Sequence, residues 1–279
     1  MSTRPAATST RQQRSPIQQL TLLLTTQQFY WFLGHVFGVL FFLVSTVTSF
    51  FRPATSLRYY QFSLLSIIIT YVIVIKQVYF KGAKKTTIGV RLLRDENVQY
   101  LLLAAVFYVT SFKVGVITAS LYSYVIFSVF HIVNYFQNHL LTIALPTIHA
   151  QQRLNTILTQ FTSRFNQPAL YFASSSEMVL LVTSVFSLVP AYLYHLLFKF
   201  DIIYAITRTI IFLSVVVFNK FRFESNQFTK DVVSQYDAKV LQALATNASA
   251  LQTYQRFKSG LLQYLNKIQL PKEQPAKKN

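Results

Sequence analysis

Few residues in this chain could do chemistry. Its 279 residues include eight Asp and Glu, five His and no Cys. Without cysteine there are neither disulfides nor thiolate metal sites. His35, His131, His139, His149 and His195 show no i,i+3 or i,i+4 pair that would set two metal ligands on one helix face. No glycine-rich phosphate loop, G-x-S-x-G elbow or His-x-x-x-x-Asp pattern occurs. The sequence therefore points away from an enzyme, and no metal or cofactor is read from it. Two charges stand out because their surroundings are apolar: Glu177 and Arg208. Charges at membrane depth are functional candidates by default. Glu177 heads one apolar segment and Arg208 lies about two turns into the next, so an antiparallel hairpin would hold them apart and a direct pair is not expected. Gly34 and Gly38 form a GxxxG, a signal for close helix packing, within the chain or between chains.

A second chemistry is lipid contact. In "LQTYQRFKSGLLQYLNKIQL", residues 251–270, a wheel at 100° per residue gathers Leu251, Tyr254, Phe257, Leu261, Leu262, Tyr264, Leu265 and Ile268 into an arc of roughly 160°. Lys258 intrudes near the margin. Arg256 and Lys267 join Gln252, Gln255, Ser259, Gln263 and Asn266 opposite. A membrane crossing would bury those polar groups in hydrocarbon. A basic polar face opposite aromatic and leucine residues suits an interfacial helix, here about 240–269. The same arc would also serve a protein partner or pack on the chain itself.

The elements that position these groups follow from composition: 52% hydrophobic, 16% aromatic and only 12% charged, against roughly 25% charged in soluble domains. Apolar runs reach the ~20 residues needed to cross a bilayer. The expected spans are approximately 29–51, 59–80, 98–112, 114–136, 178–198 and 202–219. The third and fourth meet at Lys113 and Gly115. The fold class is thus all-α: a polytopic membrane protein of about six transmembrane or hairpin helices, plus cytosolic amphipathic helices. Re-entrant hairpins would read almost the same. Residues 1–28 read as a disordered basic tail without a cleavable signal, and 220–279 as a second tail. Between spans four and five, Leu154, Ile157, Leu158, Phe161 and Phe165 make one apolar stripe, so 151–165 is expected as a cytosolic surface helix, or a roof on the bundle.

Basic residues orient the membrane domain, because short cytoplasmic loops collect Lys and Arg. With six spans, one side holds both tails, the 81–97 loop and the 137–177 segment, with nearly all the basic residues. The other receives Arg52, Arg58, Lys113 and Lys199. Both termini are therefore expected in the cytosol, and the sequon Asn247-Ala248-Ser249 should carry no sugar. The net charge of +18 finds a partner in anionic lipid, and the positive-inside rule alone also explains much of it. No soluble basic domain or aromatic-interleaved motif argues for nucleic acid.

The runs "RDENVQYLLLAAVFYVTSFKVGV", "YSYVIFSVFHIVNYF", "ALPTI", "SSSEMVLLVTSVFSL" and "DIIYAITRTIIFLSVVVFNKFRFESNQF", in that order and spacing, resemble the eukaryotic family of vertebrate transmembrane protein thirty-three and the fungal pore membrane proteins of 33 kDa. The resemblance covers roughly residues 25–230. Glu177, Arg208 and His131 match without an assigned role. It implies residence in the endoplasmic reticulum and nuclear envelope, a part in nuclear pore assembly or distribution, and action beside reticulon-type curvature proteins. It also implies a tail that meets curved membrane, nucleoporins or a nuclear import receptor. Three functional readings result: a protein that stabilises or senses curved membrane at tubules and pore rims, a membrane-anchored adaptor recruiting a nuclear transport receptor or other soluble partner through its tail, or a small-solute or ion transporter.

Overall fold

A computed structural model of the chain describes residues 15–80 and 92–268. Expectations for residues 1–14, the basic stretch at 81–91 and 269–279 lie outside them. Among the described residues the regular structure is helical, without strands, and six helices are long and apolar enough to cross a membrane. The protein is an all-α polytopic membrane protein.

The expected disordered tail is corrected from Ser15 onward. Helix α1 spans Pro16–Leu24, with proline at its start and a reciprocal capping box between Ser15 and Gln18, at 3.3 and 3.2 Å. Ser-Pro-Ile-Gln satisfies orphan N–H groups at the helix start, which polar composition alone conceals.

Helix α2 (Gln27–Ser49) and α3 (Pro53–Phe80) form the closest pair. Small residues permit it. Ser63 donates to the Gly38 carbonyl at 2.8 Å, and a Cβ on Gly34 would stand 2.2 Å from Thr70 Oγ1. Near their junction Ser45 and Ser56 each donate to the other's carbonyl, at 2.9 and 2.8 Å. The GxxxG therefore serves packing within the chain.

Helix α4 (Glu96–Val114) ends at Gly115, whose φ of 80° favours glycine. The next helix does not begin level with that end. Tyr124, near the start of α5 (Tyr122–Tyr135), donates to the carbonyl of Tyr100, in the first turns of α4, at 2.8 Å. From Tyr100 to Val114 is roughly 21 Å at 1.5 Å per residue. Residues 115–121 must therefore turn back into the bundle before α5 starts. The segment is half-buried at its start and buried at its end: Ser120 and Leu121 are each 1% exposed, and Ser120 hydrogen-bonds Tyr60 at 2.7 Å. Irregular backbone at membrane depth survives only under such cover. The fourth span, expected as 114–136, starts instead with this inward turn and continues past Tyr135 through a π turn (Phe136–Leu140) into α6 (Leu141–Ala144).

Helix α7 runs unbroken from Ile148 to Pro190 and winds into a π turn over Ala191–Leu196. The separate surface helix expected at 151–165 is corrected: that segment is the first part of α7. It stays helical because it packs on α5 and the π turn after it. Phe161 stacks on Phe130 at 5.8 Å, and Gln137 donates to Asn155 and Thr159 at 2.7 and 2.8 Å. Pro168 lies inside the helix.

Helix α8 spans Ile202–Ser225, α9 Gln227–Leu244 and α10 Ala248–Leu265. The single tail helix expected at 240–269 is thus two helices. Asn247 divides them because its side chain caps α10, accepting from the Ala250 N–H at 3.1 Å.

The bundle has two ends. The turn face carries the α2/α3 junction, the end of α4 and the start of α8, where Lys113 pairs with Asp201 at 2.9 Å. The opposite, terminal face carries the start of α2, the end of α3, the start of α4 and the end of α8. There Tyr79 donates to Asp95 at 2.7 Å. Between the faces lies a core in which Tyr60, Leu64, Ala104, Phe107 and Val215 are inaccessible.

Candidate functional site

At the terminal face α8 carries its buried stripe, Ile211, Val215 and Phe218, one turn further to Arg222. That register drives a guanidinium into the bundle, 2% exposed. Its Nε lies 3.3 Å from Oε2 of Glu177, itself 1% exposed. Nη1 lies 2.7 Å from Oε2 of Glu96, a close ion pair whose angle falls short of a hydrogen bond. Tyr100 donates its hydroxyl to Oε1 of Glu177, and its ring faces Arg222 at 5.3 Å. Helices α4, α7 and α8 are thereby pinned by one network. A buried charge is tolerable only with partners of this kind. Its effect is that of a clamp, because it ties three helices together through buried charge. Among the described residues no group of three His, Cys, Asp or Glu is arranged to hold a metal.

Arg208 lies elsewhere. Its Nε and Nη2 donate to the Tyr204 hydroxyl at 3.1 and 2.9 Å. Sequence reasoning found Glu177 but missed its partner, because Arg222 reads as part of a basic exit from the membrane. The signal was the spacing 211, 215, 218, 222, which places Arg222 on the buried face. Glu96 and Tyr100 of the same network were also missed.

A cavity of about 460 Å³ lies beside the clamp, between the starts of α2 and α4 and the ends of α3 and α5. Glu96 and Tyr100 form part of its wall, with Trp31, His35, His131 and several Asn and Gln side chains. Sequence reasoning missed it because its residues are spread over four helices. His35 and His131, unpaired by sequence spacing, stand with ring centroids 4.7 Å apart.

The tail forms a hairpin. Asp237 on α9 accepts from Lys258 Nζ at 2.6 Å and from the Tyr254 hydroxyl at 2.7 Å. The Lys258 ammonium, and then the Tyr254 hydroxyl, hold the Asp237 carboxyl below the usual carboxylate range. The lysine that intrudes into the apolar arc is thus the one that clips α10 to α9. The clip divides the arc. Leu251, Tyr254, Leu265 and Ile268 are half-buried, whereas Phe257, Leu261, Leu262 and Tyr264 remain exposed, at 65, 44, 44 and 69%. Arg256 and Lys267 are exposed as well, and Lys267 lies 5.0 Å from the Tyr264 ring centre.

The chain matches the family described as Transmembrane protein 33/Nucleoporin POM33 over residues 9–269. It is 32% identical over 237 residues to the Pore and endoplasmic reticulum protein of 33 kDa of Saccharomyces cerevisiae, covering 80% of this chain and 85% of the relative. Nucleoporin POM33 of Chaetomium thermophilum is 31% identical over 146 residues, covering 50% of this chain and 47% of the relative. Tetra-spanning protein 1 of Schizosaccharomyces pombe is 27% identical over 179 residues, covering 60% and 62%. No solved structure matches. The match along almost the whole chain places it in the Transmembrane protein 33/Nucleoporin POM33 family.

Proposed function

We propose that the chain is a non-enzymatic membrane protein of the endoplasmic reticulum and nuclear envelope that supports nuclear pore assembly or distribution by laying α10 on bent membrane. The names of the relatives support the compartment. The observation that carries the mechanism is the exposed ribbon of Phe257, Leu261 and Tyr264 beside Arg256 and Lys267, on a helix tethered to the membrane domain. Such a ribbon inserts at the boundary of headgroups and acyl chains, where packing defects in curved bilayers admit it. Both termini face the cytosol in this reading, in keeping with the crowding of Lys and Arg on that side. In this reading the helices cross rather than dip, and the length of α8 supports it. Asp201 and Arg222, in the ion pairs at opposite faces, stand roughly 31 Å apart along α8, the thickness of a bilayer core.

The test is the tagged full-length protein with Leu261→Asp and Phe257→Asp. Loss of pore or tubule enrichment with the protein still in the reticulum is the expected result. Unchanged distribution would remove α10 from the mechanism. Purified protein reconstituted alongside empty vesicles of graded diameter adds the physical arm, since tethering that ignores diameter would eliminate curvature.

A second reading, an adaptor for a soluble transport receptor, draws on the clip at Asp237, which shows α10 already engaged with a protein surface. Retention of a cytosolic partner by the Leu261→Asp, Phe257→Asp protein, with vesicle tethering lost, would favour it.

A further inference from the structure

We propose that the vestibule between α2, α3, α4 and α5 binds a neutral polyhydroxylated group, such as a cyclitol or sugar ring, free or carried on a lipid. Its volume of about 460 Å³ is that of a cleft for a small molecule. Among the described residues its wall carries five carboxamides, on Gln28, Gln77, Asn97, Asn134 and Asn138. Gln77 and Asn97 are half-buried, while Gln28, Asn134 and Asn138 are exposed at the mouth, where Asn138 donates to the Asn134 side chain at 2.7 Å. Each amide both donates and accepts, which matches hydroxyl groups.

Charge selects against the alternatives. The described residues of the wall include neither Lys nor Arg, which favours a neutral group over an anion. A cation fares no better, because Glu96 already faces Arg222 at 2.7 Å. The aromatic faces are also occupied. Trp31 packs on His35 and His131 at 4.6 and 5.0 Å, and Tyr71 on Tyr100 at 5.9 Å, so these rings do not form an open cage for an ammonium.

The independent sign of a missing partner is His35. It is 6% exposed, its Nδ1 is held by Ser128 at 2.9 Å, and its Nε2 has no hydrogen-bond partner among the described residues. A hydroxyl satisfies that nitrogen in either tautomer, because it donates or accepts as required.

Trp31 is the only tryptophan of the chain and lines the vestibule, so its emission reports occupancy. The full-length protein in detergent is titrated with short-chain phosphatidylinositol, free myo-inositol, short-chain phosphatidylcholine and inorganic phosphate. Saturable emission change with an inositol probe, absent with phosphatidylcholine and phosphate, is expected. Response to free myo-inositol identifies a soluble ligand, and response to the lipid alone identifies a headgroup. Gln77→Leu and His35→Phe should each weaken binding tenfold or more, and Gln77→Leu should keep the wild-type melting profile. A flat titration with both inositol probes, an equal response to phosphatidylcholine, or unchanged affinity in both variants would overturn the assignment.

Discussion

Arg222→Met should be the most destabilising single change at the terminal face. The arginine is 2% exposed and Glu177 1%, so methionine would strand a carboxylate with only the Tyr100 hydroxyl for company. Breaking a buried ion pair from one side costs about 3–5 kcal/mol. Glu177→Gln is milder, since glutamine still accepts from Tyr100 and Arg222 keeps Glu96 at 2.7 Å. Its cost is about 1–2 kcal/mol. The double variant Glu177→Met, Arg222→Met removes both buried charges. Glu96, 45% exposed, simply returns to solvent, and the loss should fall to about 1 kcal/mol. With ~2–4 °C per kcal/mol for domains of 150–250 residues, Arg222→Met should lower the melting midpoint by roughly 6–20 °C and the double variant by a few degrees. Circular dichroism of the purified proteins in detergent measures it. If Arg222→Met melts within ~2 °C of wild type, or the double variant melts no higher than Arg222→Met, the energy does not reside in the charge pair.

The remaining predictions concern backbone and hairpin. Gly34→Ala should cost about 1–3 kcal/mol, because its Cβ meets the stiff Thr70 side chain at 2.2 Å, whereas Gly38→Ala meets Ile67 at 3.5 Å and should be nearly neutral; Thr70→Ala should restore the first in the same melting assay. Gly115→Ala has open space but must hold φ at 80°, a loss of about 1–2 kcal/mol from backbone strain alone, and a wild-type midpoint would contradict the inward turn after α4. Because Asp237 has its pKa depressed by the clip, the clip contributes above the unfolded value and is lost as pH falls through the folded one. The α9–α10 hairpin should hold at neutral pH and open only in acid below the usual carboxylate range, while Asp237→Asn should open it at pH 7. Cysteines introduced at Ala238 and Gln255 into this cysteine-free chain would report that distance through spin labels, and a distance indifferent to both changes would refute the clip.

The membrane helices were legible because a bilayer imposes apolar length directly on composition. What sequence could not convey was depth and partnership. The run from Val98 to Phe136 is apolar but for a break at Lys113 and Gly115, which marks a junction without its depth; the inward turn at 115–121 is fixed by Tyr60 and Tyr124, distant in sequence. The polar first part of α7 reads as a surface element because the stacking of Phe161 on Phe130, which settles its course, is a tertiary fact. Two signals were present and easy to pass over. Ser15 with Gln18 spells a capping box. Asn247, conspicuous as a sequon, is equally a helix cap that splits the tail.

The clamp and the tail are mechanically connected. Only Asn226 separates α8 from α9, and it caps α9 by accepting from the Thr229 N–H at 3.1 Å. Thr229 and Val232, both inaccessible, dock α9 on the bundle. Thr229 reaches Ser174 at 3.4 Å, and Tyr171 hydrogen-bonds Gln235. These contacts lie within two turns of Glu177 on α7 and of Arg222 on α8. The arm that carries α10 is therefore anchored on the same two helices that the buried charge pair holds together. A flexible tether would let α10 sample any orientation. A docked α9 restricts it, raising the effective concentration of the exposed ribbon at the adjoining membrane. Loosening the clamp should consequently weaken vesicle tethering even with Phe257, Leu261 and Tyr264 unchanged, whereas an adaptor acting through a free tail would keep its partner.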